Sequence, residues 1–300
     1  MSNEYNVCKK MIEFYNKTPN INSFTSWGER MEKDFSLLIN LLITKDIEPL
    51  INLMKNFKAD NSLSFEYINV RENKIYFLLE KAINKTNINE KHKFGCINKI
   101  GNPKGVLIND KVLTESSIRH YTDSNEICSL VAENSTVCEI GGGHGGLASQ
   151  LLFNKKLKYI DCDLPSSLII IFYFLSMSFN DKKILWVTSE DEIIENDYDI
   201  ILIPNYFKNI IPKIKIDLFF NSYSFSEMNI NELKCYKDII ENSQAEFFLH
   251  ENCITDTNPL LIPCNFTFNN MIKINEYDTL DNDNNKTCKR FLYKRIKEFK

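Results

Sequence analysis

The sequence predicts an α/β fold, with a doubly wound, mainly parallel sheet preceded by a helical N-terminal extension. Three observations predict it. From Val137 onward, short apolar runs of strand length alternate with stretches of helical periodicity, the pattern of a parallel sheet covered by helices. A glycine-rich turn follows the first of those runs and opens a helix. Upstream, residues 1 to about 90 carry helical spacing alone. We therefore divide the chain into a helical region over 1–94 and a ligand-binding catalytic domain over 95–300.

In the N-terminal region Leu37, Leu38, Leu41 and Leu42 recur at helical spacing, as do Leu50, Leu53, Met54 and Phe57. Trp27 reads as a core anchor. Gly95 to Gly105 holds glycine and proline and marks a loop or short hairpin, and a helix follows from Thr114 or Glu115 to about Val131. Strands are expected at Thr136–Ile140, Lys158–Cys162, Ile184–Val187, Ile200–Ile203, Asp217–Asn221 and Phe247–His250. Helices are expected at Gly146–Asn154, Ser166–Phe179 and Glu232–Glu241. Asp281–Lys286 reads as a polar loop and Thr287–Ile296 as a final edge strand.

Composition narrows the function. The net charge of −4 provides no basic field, which argues against nucleic acid as the partner. The most apolar stretch, Leu164 to Phe179, is too short to span a bilayer, and Pro165 and Ser166 read as a helix start. The N-terminus has no apolar signal core. None of the nine cysteines forms a Cys-x-x-Cys pair, and Cys138 and Cys162 lie inside apolar runs. Buried reduced thiols in a cytoplasmic protein fit this better than disulfides or zinc.

The strongest signal is Val137-Cys-Glu139-Ile-Gly141-Gly-Gly143-His144-Gly145-Gly146-Leu147. Glycines permit a tight turn and close approach of a ligand to the backbone. The run fits a dinucleotide loop (Gly141, Gly143, Gly146) and also an S-adenosylmethionine loop (Glu139, Gly141, Gly143, Gly145). Charge separates the two. A dinucleotide brings a pyrophosphate, which favours a bare helix N-terminus, whereas S-adenosylmethionine brings an ammonium and a sulfonium, which suit Glu139. The second signal is Tyr159-Ile-Asp161-Cys-Asp163-Leu164-Pro165. Asp163 falls at a strand exit about twenty residues on, where an acid accepts the ribose hydroxyls; Asp161 competes for that role, and a helix N-cap is the plain structural alternative.

Glu139-x-Gly-Gly-Gly-x-Gly-Gly-Leu-Ala, then Asp163-Leu-Pro, then Asp217-Leu-Phe-Phe-Asn-Ser-Tyr-Ser-Phe-Ser-Glu-Met228 resembles a family of bacterial sugar O-methyltransferases. Ile100-Gly-Asn-Pro103 and Ser117-Ile-Arg119 resemble that family's lead-in, and the likeness runs from about residue 95 to 255. The glycine loop with Asp-Leu-Pro also resembles plant small-molecule O-methyltransferases. The resemblance implies a Rossmann-like class I methyltransferase fold and S-adenosylmethionine as cofactor. It further implies a sugar, nucleotide-sugar or glycan acceptor, in capsule or lipopolysaccharide synthesis. It makes Glu139, Gly141, Gly143, His144, Asp163 and Leu164 cofactor contacts, although His144 stands where an aromatic such as Tyr is expected. Asn205 would lie on the adenine side, with Thr188 or Ser189 replacing it if Ile184–Val187 is the third strand. Asn221 and Ser222 would lie beside the methyl group.

A sugar hydroxyl is a weak acid, so a general base should speed transfer by about 10²–10⁴-fold. Glu227, His250, Glu251 and His120 are candidates, with His250 and Glu227 favoured as catalytic; His250 has an ordinary pKa near working pH. Arg119, His120, Tyr121, Glu251 and Asn252 are expected to bind the acceptor. No compact Asp/Glu/His cluster demands a metal, though Asp256 is close to His250 in sequence. The N-terminal helices either form a homodimer surface or cover the acceptor. The rival readings are an NAD-dependent oxidoreductase or epimerase, a methyltransferase with a non-sugar acceptor, and a binding protein that has lost catalysis.

Overall fold

The computed structural model describes residues 2–18, 35–59, 63, 70–86, 99–108, 110–191, 197–253, 266–280 and 288–296. Trp27, Asp256 and the Asp281–Lys286 loop lie outside the described residues. Among the described residues the chain opens with helices α1 (Asn3–Lys17), α2 (Ser36–Thr44), α3 (Ile47–Lys55) and α4 (Glu72–Thr86). Each of the first three buries one stripe: Val7, Cys8, Met11 and Ile12 on α1, Leu38, Leu41 and Leu42 on α2, and Leu50, Ile51, Leu53 and Met54 on α3. Leu37, expected on the α2 stripe, is 48% exposed. These helices do not close a core of their own. The buried residues of α1, α2 and α3 join one apolar cluster with the sheet and the long apolar helix α7 (Pro165–Ser178), while Ile75, Leu78 and Ala82 of α4 belong to a separate cluster. Phe14 of α1 meets Phe172 edge-on at 4.9 Å and stacks on Trp186 at 5.2 Å.

A short hairpin, β1 (Val106–Ile108) with β2 (Lys111–Leu113), leads to α5 (Glu115–Leu130). Thr114 and Ser117 cap α5 reciprocally, each side chain accepting the other's backbone N–H. The helix starts where the sequence places it.

The main sheet comprises β3 (Thr136–Ile140), β4 (Lys158–Asp163), β5 (Ile184–Trp186), β6 (Ile200–Pro204), β7 (Leu218–Ser222), β8 (Phe247–Cys253), β9 (Met271–Asp278) and β10 (Cys288–Arg295). Its order is β5-β6-β4-β3-β7-β8-β10-β9. The strands from β5 to β8 are parallel; β10 runs antiparallel between β8 and β9. Helices α6 (Gly146–Asn154), α7 and α8 (Ile230–Asn242) complete the layers. This is the predicted doubly wound α/β fold. The tail strand is a correction: β10 is interior, and the edge is β9, which the sequence reading missed. Ile272 and Ile274 alternate with Lys273 and Asn275, but both isoleucines are about half exposed and the strand is polar from Asn275 on.

The topology fixes where a ligand belongs. From β3 the chain passes to β4, then to the edge strand β5 and back to β6 between them, and crosses to β7 on the other side of β3. The crevice above the carboxyl ends of β3 and β7 is therefore the topological switch point. Among the described residues, no helix is long and apolar enough to cross a membrane, and no group of three or more His, Cys, Asp or Glu is placed to hold a metal. The expectation of reduced thiols fails at Cys288, which is disulfide-bonded; the β8–β10 register sets it opposite Cys253.

Candidate functional site

The end of β3 builds the first wall. Gly141, at φ +82°, turns the chain out of the strand, and a Cβ there would sit 2.3 Å from the Ser224 hydroxyl. The turn is tied down from β4. Gly142 N–H donates to Asp161 Oδ1 at 3.3 Å, and Gly143 N–H donates to Asp163 Oδ2 at 3.1 Å. Leu164 N–H donates to Asp163 Oδ1 at 2.6 Å. The sequence left Asp161 and Asp163 in competition; the structure separates them by depth. Asp161 is fully buried beneath the turn, while Asp163 lines an open cavity at the strand exit.

That cavity, of about 280 Å³, occupies the switch point. Glu139, Gly141, Gly143, His144, Asp163, Leu164, Asn205 and Ser222 of the expected cofactor set line it, and so do Arg119, His120 and Glu227. Asn205 takes its place because β6, not β5, pairs directly with β4, which disposes of Thr188 and Ser189 as alternatives. Ser116, Arg119 and His120 reach the cavity from α5, at the i, i+3, i+4 spacing of one helix face. Tyr121 falls off that face and packs in the core under α4, so it does not contact the cavity.

Four further expectations need correction, with one cause: the strands run on past their expected ends. β8 continues to Cys253, so His250, Glu251 and Asn252 lie within the sheet rather than beyond it, and none lines the cavity. His250 is fully buried between Phe248 and Phe291, each ring centroid 4.9 Å away. Burial drives its pKa down to about 3, and it does not line the cavity among the described residues, which leaves it poorly placed for a general base. Asn221 sits one residue inside the end of β7. Its Nδ2 donates to Ile140 O at 2.8 Å, and its Oδ1 accepts from Asn252 Nδ2 at 2.9 Å. Asn252 Oδ1 in turn accepts from the Ser226 N–H at 3.2 Å. These amides clamp β3, β7 and β8 under the site.

Glu251 supports the site from behind. With Asp123 and Glu126 it surrounds the buried Arg290 guanidinium, and it accepts a hydrogen bond from the Tyr223 hydroxyl. Tyr223, held at φ +65°, lines the cavity beneath the Arg119 guanidinium, 5.0 Å from the ring centroid. The sequence reading missed Tyr223, Ser224, Glu232 and Tyr236 as cavity residues. Tyr223 and Ser224 sit inside the quoted Asn-Ser-Tyr-Ser motif, where a non-glycine turn after β7 is the signal that points to them.

Burial shifts both the acids and the histidines of the cavity toward their neutral forms. Burial pushes the Glu139 carboxyl up to about 8 and that of Asp163 up to about 6. Burial also holds His120 and His144 well below the usual imidazole range, with cationic Lys58 and Arg119 acting in the same direction. His144 packs on Phe57, Phe174 and His120. Ser222 Oγ is buried and has no hydrogen-bond partner among the described residues, so it is available to a bound molecule.

No family model and no curated protein matches the chain. Among solved structures it is similar to an rRNA methylase from Streptococcus thermophilus, at 12% identity over 58% of this chain and 95% of that one, with a TM-score of 0.41. It is also similar to magnesium protoporphyrin IX methyltransferase (ChlM) from Synechocystis PCC 6803 with bound SAM. That likeness is at 10% identity over 61% of this chain and 82% of that one, with a TM-score of 0.43. For the mitomycin 7-O-methyltransferase MmcR the figures are 12% identity, 60% and 55% coverage, and a TM-score of 0.38.

Proposed function

We propose that the chain is an S-adenosylmethionine-dependent O-methyltransferase whose acceptor is a sugar hydroxyl. One observation carries the reading: Glu139 and Asp163 line one cavity over the glycine turn, at the switch point of a doubly wound sheet. Two acids at the mouth of a Gly-rich turn suit a ligand that is cationic at one end and carries a ribose at the other. They oppose a pyrophosphate, which Glu139 would repel, and this argues against the NAD reading. Glu139 would hold the aminoacyl end, Asp163 the ribose hydroxyls, and Asn205 the adenine side. Ser222, whose buried hydroxyl has no partner among the described residues, would donate to the donor or to the acceptor.

When bound, S-adenosylmethionine supplies a methyl group already activated by its sulfonium. The protein's own task is alignment, water exclusion and removal of the acceptor's proton. Glu227 is the proton acceptor in this reading. It lines the cavity on the short turn that follows β7, the strand that ends at Ser222. Arg119 and His120 would orient the acceptor from α5. The polar rim of Ser116, Asn205, Ser224 and Glu232 suits a hydroxyl-rich acceptor, in keeping with the sequence resemblance.

Incubation with labelled S-adenosylmethionine and a panel of nucleotide sugars, read by mass spectrometry, tests the proposal. The expected product is a sugar one methyl group heavier, with Glu227→Gln slowing its formation by about 10²–10⁴-fold. Transfer only to a non-sugar acceptor would replace the sugar assignment, and turnover undiminished in Glu227→Gln would remove Glu227 as the base.

A further inference from the structure

Beneath the glycine turn, three side chains form a hydrogen-bonded chain that cannot be completed while both of its acids are ionised. The Tyr159 hydroxyl is hydrogen-bonded to Glu139 Oε2 and, at 2.8 Å, to Asp161 Oδ2. A phenol has one hydrogen, so it satisfies one carboxylate and leaves its oxygen facing the other. All three groups are buried, at 1% exposure for Tyr159, 4% for Glu139 and 0% for Asp161, so solvent cannot relieve that contact.

One additional proton completes the chain, and its place follows from the remaining contacts. Asp161 Oδ1 already accepts the Gly142 N–H. With a proton on Oδ2, Asp161 donates to the Tyr159 oxygen, and Tyr159 donates its own hydrogen to Glu139 Oε2. Every group is then satisfied, and Glu139 stays anionic at the cavity wall. With the proton on Glu139 instead, the chain runs the other way and the wall of the cavity loses its charge.

The surrounding charges bear on both acids. On α5, Arg119 and Asp123 act on Glu139; on β4, Asp163 acts on Glu139 and Asp161; on β3, Cys138 lies within electrostatic reach of Asp161 but points to the opposite face of the sheet, beside Ile160. The described residues of α6 and β7 bring no charged side chain. Burial, followed by the charges of Glu139 and Asp163, raises Asp161 well above the usual carboxylate range.

We propose that Asp161 is held as a neutral carboxylic acid and, through Tyr159, fixes Glu139 as the anion that faces the donor's ammonium. Asp161 is thus a positioning residue that never touches the ligand. This rests on the cavity being an S-adenosylmethionine site.

Infrared difference spectroscopy of the full chain with isotope-labelled aspartate, at mildly alkaline pH, reads the proton directly. The expected result is a label-sensitive carbonyl band of a protonated carboxyl, lost in Asp161→Asn and kept in Asp163→Asn. Calorimetric titration with S-adenosylmethionine reads the consequence. Asparagine reproduces both hydrogen bonds of the neutral acid, so Asp161→Asn should bind within about three-fold of wild type, while Tyr159→Phe should bind about ten-fold or more weakly. Absence of the band, or equal weakening by Asp161→Asn and Tyr159→Phe, overturns the proposal. Failure of the wild type to bind S-adenosylmethionine removes the reading of the cavity instead, and the band in the ligand-free protein still decides where the proton sits.

Discussion

Gly141→Ala probes the joint on which the cavity is built. Gly141 lies at φ +82°, where an L-residue with a Cβ is disfavoured by about 1–2 kcal/mol. The new Cβ would also lie 2.3 Å from Ser224 Oγ and 2.6 Å from Ser224 Cβ, so the serine must move. Ser224 Oγ donates to Ile140 O at 3.0 Å and accepts from Asn221 Nδ2. Losing one such bond costs about 0.5–1.5 kcal/mol, and the two effects sum to about 1.5–3.5 kcal/mol. Denaturant unfolding should report a loss of that size, with a fall in Tm of roughly 2–6 °C for a chain of this length. Ser224→Gly clears the space, so the double variant should be more stable than the two single losses predict, by about 1 kcal/mol. A Gly141→Ala protein within about 0.5 kcal/mol of wild type, or strictly additive losses, would refute the close packing of the β3 turn against the segment after β7.

Three other outcomes follow from the same geometry. Asp163→Ala should weaken S-adenosylmethionine binding by about 1–3 kcal/mol in a calorimetric titration; an unchanged affinity would remove its ribose role. His250→Phe should leave that affinity unchanged, because the ring packs in the sheet away from the cavity. Its folded pKa of about 3 lies below the unfolded value of about 6.5. Its stabilising contribution is therefore complete above that unfolded value and lost as pH falls toward 3, so the variant should show a flatter acid limb in pH-dependent unfolding; an unaltered limb would contradict the assignment. Arg290→Met leaves Asp123, Glu126 and Glu251 without their shared cation and should cost about 3–5 kcal/mol of stability. A loss below about 1 kcal/mol would show that the acids find other partners.

The winding of the sheet and the loop between β3 and α6 were legible because apolar runs, glycine spacing and the acid at the β4 exit are local signals. Glu139 and Asp163 follow from charge and position and Asn205 from the resemblance; each stands at or just beyond a strand end, and strand ends meet at the switch point. What failed was the length of β8. Asn252 and Glu251 look like loop residues because they are polar, yet each is satisfied by a distant partner, Asn221 for one and Arg290 for the other. Such pairings span dozens of residues and leave no periodicity. The same holds for β9, whose polar pattern hides its pairing with β10, and for Tyr223, whose place depends on Glu251 accepting its hydroxyl.

Side-by-side calorimetric titration of the intact chain with S-adenosylmethionine and with NAD tests the central claim most directly. The account predicts one saturable site for S-adenosylmethionine and no measurable heat from NAD, since Glu139 rejects a pyrophosphate. Tight binding of NAD with none of S-adenosylmethionine would contradict it.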